Sequence, residues 1–258
     1  MNNNHLQGKT AIITGAGYAT LSDGRCGSIG YGIATAFAKE GANLVITGRQ
    51  VPKLEKAKAE LERLYGVKVL AIPADISAGA DNAATAKAVV DAAVAEFGRI
   101  DVLVNNAGGG VSIVDTVEQT CEDIDTAIAL NLNSVIYGCK LFGEMMKARG
   151  DGIVINLASV CARHCWGGWS VYAAAKAGVL NFTKGFYVEM QPFGVRATCV
   201  IPASSATGFQ SNAGIDNVTQ TLSAEDIANA ICYAANQPKG VVVEEMTVWG
   251  TSQQVQPL

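Results

Sequence analysis

The sequence predicts a doubly wound α/β fold, a single domain over residues 1–258 with a seven-stranded parallel sheet covered by helices on both faces. Three observations predict it. Short apolar, β-branched runs alternate with longer helical patterns along the whole chain. The runs are apolar throughout, as strands buried on both faces are, and parallel pairing needs a crossover long enough to hold a helix. With 258 residues, 49% of them hydrophobic, the chain buries one sizeable core, and the sequence shows no linker, internal repeat or low-complexity tract.

In chain order the strand runs are KTAIIT, NLVIT, VKVLAI, DVLVNN, GIVINLAS, VRATCVI and VVVEEMTVW. The helical patterns between them cover residues 29–40, 52–65, 80–97, 117–147, 171–190 and 224–237. Pro52 suits a first helical turn, and Gly41, Gly66 and Gly98 stand where a left-handed cap ends a helix. Residues 203–222 form the longest poorly patterned segment after the glycine loop, either a flap over a ligand or a plain surface connection.

Composition excludes several classes. The net charge of −4 and the absence of a basic run argue against nucleic acid as a partner. The N-terminus has neither a positive flank nor an apolar segment, and no apolar run reaches bilayer length, so a soluble cytoplasmic protein is expected. Seven cysteines are too few and too scattered for a secreted disulfide framework. Cys161, His164 and Cys165 cluster, but a structural zinc site needs four ligands and no second pair stands at suitable spacing, so no metal is expected.

After the first strand, TGAGYATLSDGRCGSIGYGIA supplies the parts of a phosphate-binding turn in Thr14, Gly15, Gly17, Gly27 and Gly30. Backbone N–H groups and the positive end of a helix dipole there meet a pyrophosphate, and glycines let it approach closely. The turn must be tight only at the phosphate, so residues 18–26 are expected to bulge outward as a rim element. Ser28 takes the place of a middle glycine just before Ile29, its hydroxyl free to cap the helix or to meet a phosphate oxygen. At the end of the second strand, where a carboxylate normally grips the adenosine ribose, the chain has Gly48 and Arg49. A guanidinium there grips a 2′-phosphate, so NADP is favoured with NAD still open, and Arg25 is a candidate second cation.

Tyr172 and Lys176, four apart in SVYAAAKAGV, share one helix face, where an ammonium is expected to lower the phenol pKa for acid–base work. Ser159 ends the fifth strand run at the carboxyl edge of the sheet, placed to donate to a carbonyl oxygen. In this order the motifs TGAG, PADIS, NNAG, ALNLN, Ser159, YAAAK and IPASSAT resemble the short-chain dehydrogenase/reductase family over nearly the whole chain.

The resemblance implies a Rossmann-like fold and site roles. Asn131 would complete a tetrad with Ser159, Tyr172 and Lys176 and help hold a water chain that refills the tyrosine proton. Lys176 and Tyr172 would bind the nicotinamide ribose, Asp75 with Ile76 the adenine, and Pro202 and Thr207 the nicotinamide end. Asn105, Ala107 and Gly108 would line the cofactor cleft, although Asn105 could instead tie two strands together and Asp75 could cap a helix.

The chain departs from the family pattern in its loop insert, in IPAS where Asn-Pro-Gly is usual, and in a short segment after Thr207. The SIGYGIA helix start is similar to the divergent enoyl-acyl-carrier-protein reductases, but those space Tyr and Lys more widely. The expected reaction is hydride transfer between a secondary alcohol and a ketone; the alternatives are an enoyl reductase and a non-catalytic NADP(H)-sensing regulator. Arg163, His164, Trp166 and Trp169 lie between Ser159 and Tyr172, where two indoles would make a wall for a hydroxysteroid or a 3-oxo or 3-hydroxy compound, or else serve as core.

The final apolar run, with Met246 and Val248, reads as an edge strand ending at Trp249, and the patterns 117–147 and 171–190 are apolar on more than one face. A homodimer or tetramer is therefore expected, with the tail after Gly250 against a neighbouring subunit.

Overall fold

A computed structural model of the chain describes residues 5–75, 82–209 and 222–253. Seven strands, β1 (Thr10–Ile13), β2 (Asn43–Gly48), β3 (Val69–Pro73), β4 (Val102–Asn105), β5 (Gly152–Leu157), β6 (Val195–Pro202) and β7 (Glu245–Val248), form one sheet in the order β3-β2-β1-β4-β5-β6-β7. Every neighbouring pair is parallel. The continuous apolar runs are explained by burial: β1, β4, β5 and β6 are buried along their whole length, whereas the edge strand β7 is half-buried throughout. Winding reverses between β1 and β4, and the crevice at the carboxyl ends of these two strands is where such sheets hold ligands.

The described helices are α1 (Ile29–Lys39), α2 (Val51–Tyr65), α3 (Asn82–Phe97), α4 (Cys121–Ile128), α5 (Ser134–Arg149), α6 (Ser170–Met190) and α7 (Ala224–Ala235). Gly66 ends α2 at φ 66°, a left-handed cap that a side chain would strain. Among the described residues, no helix is long and apolar enough to cross a membrane.

Two elements differ from the sequence expectation. The helix expected over 117–147 begins only at Cys121, because Thr120 takes the N-cap and accepts from Asp123 N at 3.0 Å. It then widens into a π turn at Ala129–Asn133 before continuing as α5. Asn131 sits in this turn, and its Nδ2 donates to the Ala127 carbonyl, which an unbroken α-helix would give to the backbone N–H of Asn131. The last strand is likewise shorter than its apolar run: the Val241 carbonyl accepts from the buried Arg196 guanidinium, and only Glu245–Val248 pairs with β6.

Candidate active site

The glycine turn is assembled by side chains from the next element of the sheet. Thr14 Oγ1 donates to the Val104 carbonyl and accepts from the N–H groups of Asn106 and Ala107 at 3.0 and 2.9 Å. Asn106 Nδ2 donates to the Thr14 carbonyl at 2.7 Å. Thr14 and Asn106 thus lock the end of β1 to the end of β4. Gly15 adopts φ 70° against Ala107, and a Cβ added to Gly30 would run into the Gly15 carbonyl, so α1 starts directly on the turn. Its first turn, beginning at Ile29, is free of acidic residues, which leaves the positive dipole end uncompensated. Of its two sequence options, Ser28 takes the cap, accepting from Tyr31 N at 3.3 Å.

Residues 18–26 bulge outward and close on themselves. Thr20 bridges Cys26, Leu21 N donates to the Arg25 carbonyl at 2.9 Å and Gly27 N to the Ala19 carbonyl at 2.9 Å. At the base, the Tyr18 ring lies edge-on to Tyr31 at 5.0 Å, with Lys56 Nζ 3.9 Å from its centroid. Arg25, the candidate second cation, pairs with Asp23 at 2.7 Å on the exposed tip. Arg49 is exposed just past β2, where a Cβ on Gly48 would stand 4.0 Å from Gly17 N. Lys53, absent from the sequence reading, flanks Gly17, and its carbonyl accepts from Tyr18 N at 3.0 Å. Its place in the first turn of the helix after Arg49 was the available signal.

Ser159, Tyr172 and Lys176 come together at the carboxyl end of β5. Ser159 caps a short turn, accepting from Cys161 N at 3.2 Å, with its hydroxyl beside the Tyr172 phenol. Lys176 is only 4% exposed, its Nζ donating to the Leu157 carbonyl at 2.9 Å and lying 5.7 Å from the Tyr172 ring centroid. Burial lowers the ammonium to about 8. The phenol departs from expectation: burial, reinforced by the neighbouring Cys161, pushes it above its ordinary value, and the Ser159 hydroxyl only partly offsets this.

Asn131 is fully buried, with Oδ1 accepting from Gly109 N at 3.0 Å and Nδ2 donating to the Gly109 carbonyl at 2.9 Å. A Cβ on Gly108 would come 2.8 Å from Asn131 Oδ1 and 3.2 Å from Lys176 Nζ, so the loop after β4 passes tightly over both. Asn105 is drawn the other way, into the core. Its Nδ2 donates to Asn156 Oδ1 at 2.8 Å, and Asn156 donates to Thr183 Oγ1 at 3.0 Å, a buried polar ladder joining β4, β5 and α6. Pro202 ends β6, and the following Ala203 N still donates to the Val248 carbonyl, so IPAS keeps the ladder. Thr207 accepts from Phe209 N at 3.3 Å, Asp75 is exposed past β3, and Ile76 lies outside the described residues.

Of the two indoles, only Trp169 meets Tyr172, its ring 5.6 Å away. Phe209, a lone aromatic in a small and polar stretch that the sequence reading passed over, stacks on Trp169 at 6.1 Å and meets Tyr172 at 5.7 Å. Trp166 instead packs with His164, which also meets Trp249, and Arg163 pairs with Glu245 of β7. Cys161 is buried and Cys165 exposed; among the described residues no cluster of His, Cys, Asp or Glu could hold a metal ion.

A family model for short chain dehydrogenases matches residues 9–230. A 12alpha-hydroxysteroid dehydrogenase from a Clostridium species is 42% identical over 206 residues, covering 80% of this chain and 76% of the relative. An uncharacterized oxidoreductase of Staphylococcus aureus is 31% identical over 243 residues, 94% of this chain and 97% of its own. Among solved structures, an alcohol dehydrogenase from the archaeon Thermococcus sibiricus, complexed with 5-hydroxy-NADP, superposes with TM-score 0.84 at 27% identity, covering 96% of this chain and 99% of that one. A metagenomic short-chain oxidoreductase in complex with NADP gives TM-score 0.78 at 27% identity, covering 96% and 100%. The matched region runs from the strand before the glycine turn past the hydroxyl, phenol and ammonium gathered at the crevice, and on that ground the chain belongs to the short-chain dehydrogenase family of oxidoreductases.

Proposed function

We propose that the chain is an NADP(H)-preferring enzyme that interconverts a secondary alcohol and a ketone, with a hydroxysteroid or a similar fused-ring compound as substrate. The observation that carries the reading is the convergence of Ser159, Tyr172 and Lys176 at the crevice beside the glycine turn. The cofactor fits this chain: the cradle of Gly15 and Gly30 admits no added Cβ, the end of β2 has no carboxylate, and Arg49 and Lys53 supply positive charge there. Solved relatives complexed with NADP support the preference. Asp75 would meet the adenine and Thr207 the nicotinamide carboxamide.

Bound there, the dinucleotide supplies or accepts the hydride. Ser159 donates a hydrogen bond to the substrate oxygen. Tyr172 gives its phenolic proton to that oxygen in reduction and takes it back in oxidation. A phenol raised by burial stays protonated at neutral pH, the form that reduction needs. Lys176, fixed by the Leu157 carbonyl, stabilises the phenolate left behind, and Asn131 holds the Gly108 loop against it.

The 42% identical hydroxysteroid dehydrogenase and the aromatic surface beside Tyr172 support a ring-bearing substrate. The Tyr–Lys spacing of four weighs against an enoyl reductase. Seven free thiols suit the reducing cytoplasm. The exposed Val188 on α6 and the half-buried edge strand β7 support a homodimer or tetramer. The decisive experiment follows NADPH and NADH oxidation over a panel of fused-ring ketones and a panel of enoyl thioesters. Turnover of ketones with NADPH is expected; turnover of the thioesters alone, or tight cofactor binding with no turnover, refutes the reading.

A further inference from the structure

Trp169, Tyr172 and Phe209 close a triangle of rings at the reacting centre. The three centroid distances are 5.6, 5.7 and 6.1 Å, and the Trp169 and Phe209 planes are only 11° apart. Two nearly parallel rings stacked at that distance are already in contact, so no ring inserts between them. The stack offers an apolar aromatic face, and each member is half-buried, which leaves it a side to offer a ligand. Both members are held in place. Trp169 leads into α6, its carbonyl accepting from Ala173 N at 2.7 Å, and the adjoining Gly168 packs on the backbone of Ile113 and Val114. Phe209 is fixed from the other side of the crevice, because Gly208 N donates to the Gly27 carbonyl at 3.1 Å and Phe209 N to Thr207 Oγ1. The base of the loop insert therefore anchors the residue that completes the wall.

We propose that Trp169 and Phe209 are the specificity-determining residues of this site, selecting ketones carried in a rigid fused ring over acyclic ketones of equal carbon number. The inference rests on the alcohol–ketone reading above. Its physical basis is that a rigid alicyclic skeleton covers a flat aromatic face with no conformational freedom to lose, whereas a flexible chain must be ordered to make the same contact. Neither residue is assigned a part in proton or hydride transfer, so their removal acts on KM for the ring substrate and leaves kcat.

The test is steady-state kinetics at saturating NADPH with decalone and with an acyclic methyl ketone of the same carbon number. Phe209→Ala is expected to raise KM for decalone about tenfold, with kcat, the KM for NADPH and the KM for the acyclic ketone each within about twofold of wild type. Phe209→Tyr, which keeps the ring face, retains the preference. Trp169→Phe, milder than truncation at the start of α6, gives a smaller loss in the same direction. Equal changes on both ketones, or none on either, overturn the assignment. An equal fall in kcat on both also overturns it, by making Phe209 a support for Tyr172. A wild type that reduces neither ketone fails differently: it overturns the alcohol–ketone reading, and the selection falls with it.

Discussion

Replacing Lys176 by Met removes a buried ammonium from a site that holds it at a cost. Burial brings its pKa from 10.5 to about 8, which at about 1.4 kcal/mol per pH unit makes the charged form roughly 3 kcal/mol less favourable in the folded chain than in the unfolded one. Met fills a similar volume without charge, but it leaves the Leu157 carbonyl without the 2.9 Å ammonium donor, a loss of about 1–2 kcal/mol. The variant is therefore expected to be more stable near neutrality by about 1–2 kcal/mol, or roughly 5 °C in Tm, while kcat falls by at least about a hundredfold.

The pH dependence separates this account from generic repacking. Below about 8 both folded and unfolded wild type carry the proton, so the cost is fully present. From about 8 to 10.5 the folded chain releases it while the unfolded chain keeps it, and wild-type stability rises relative to the variant. Near pH 10 less than about 1 kcal/mol of the cost remains, and the variant loses its advantage. Chemical denaturation of both proteins near pH 7 and near pH 10 measures the difference. A variant no more stable at neutrality, or a difference that does not change with pH, refutes the reasoning.

Tyr172→Phe removes the proposed proton donor while keeping the ring that packs on Trp169 and Phe209; kcat should fall by at least about a hundredfold with cofactor affinity intact, and near-normal turnover would end the assignment. Arg49→Ala should raise KM for NADPH far more than KM for NADH, which steady-state titration of each cofactor reads directly. Gly30→Ala forces a Cβ into the Gly15 carbonyl, a backbone contact that no rotamer relieves, and calorimetry should find NADPH binding weakened by at least about tenfold with the fold retained. Light scattering coupled to size exclusion should give a multiple of the 26.8 kDa chain mass; a single-chain mass would refute the oligomer.

Much of the fold is legible in the sequence because it is written locally. An uninterrupted apolar run such as IVINL reports burial on both faces, glycines report turns, and a spacing of four puts Tyr172 and Lys176 on one helix face whatever surrounds them.

Tertiary structure decided what depends on partners distant in the chain. Asn105 sits in the NNAG motif, yet Asn156 and Thr183 draw it into the core. Thr14 joins two strand ends through N–H groups that sequence spacing does not bring near. A long helical pattern breaks into a π turn because the Asn131 amide finds Gly109. The phenol of Tyr172 rises, against the local expectation set by Lys176, because desolvation depends on everything packed around it. Phe209 reaches Trp169 only because the Gly27 carbonyl holds Gly208, and no propensity of the chain near either ring encodes that contact.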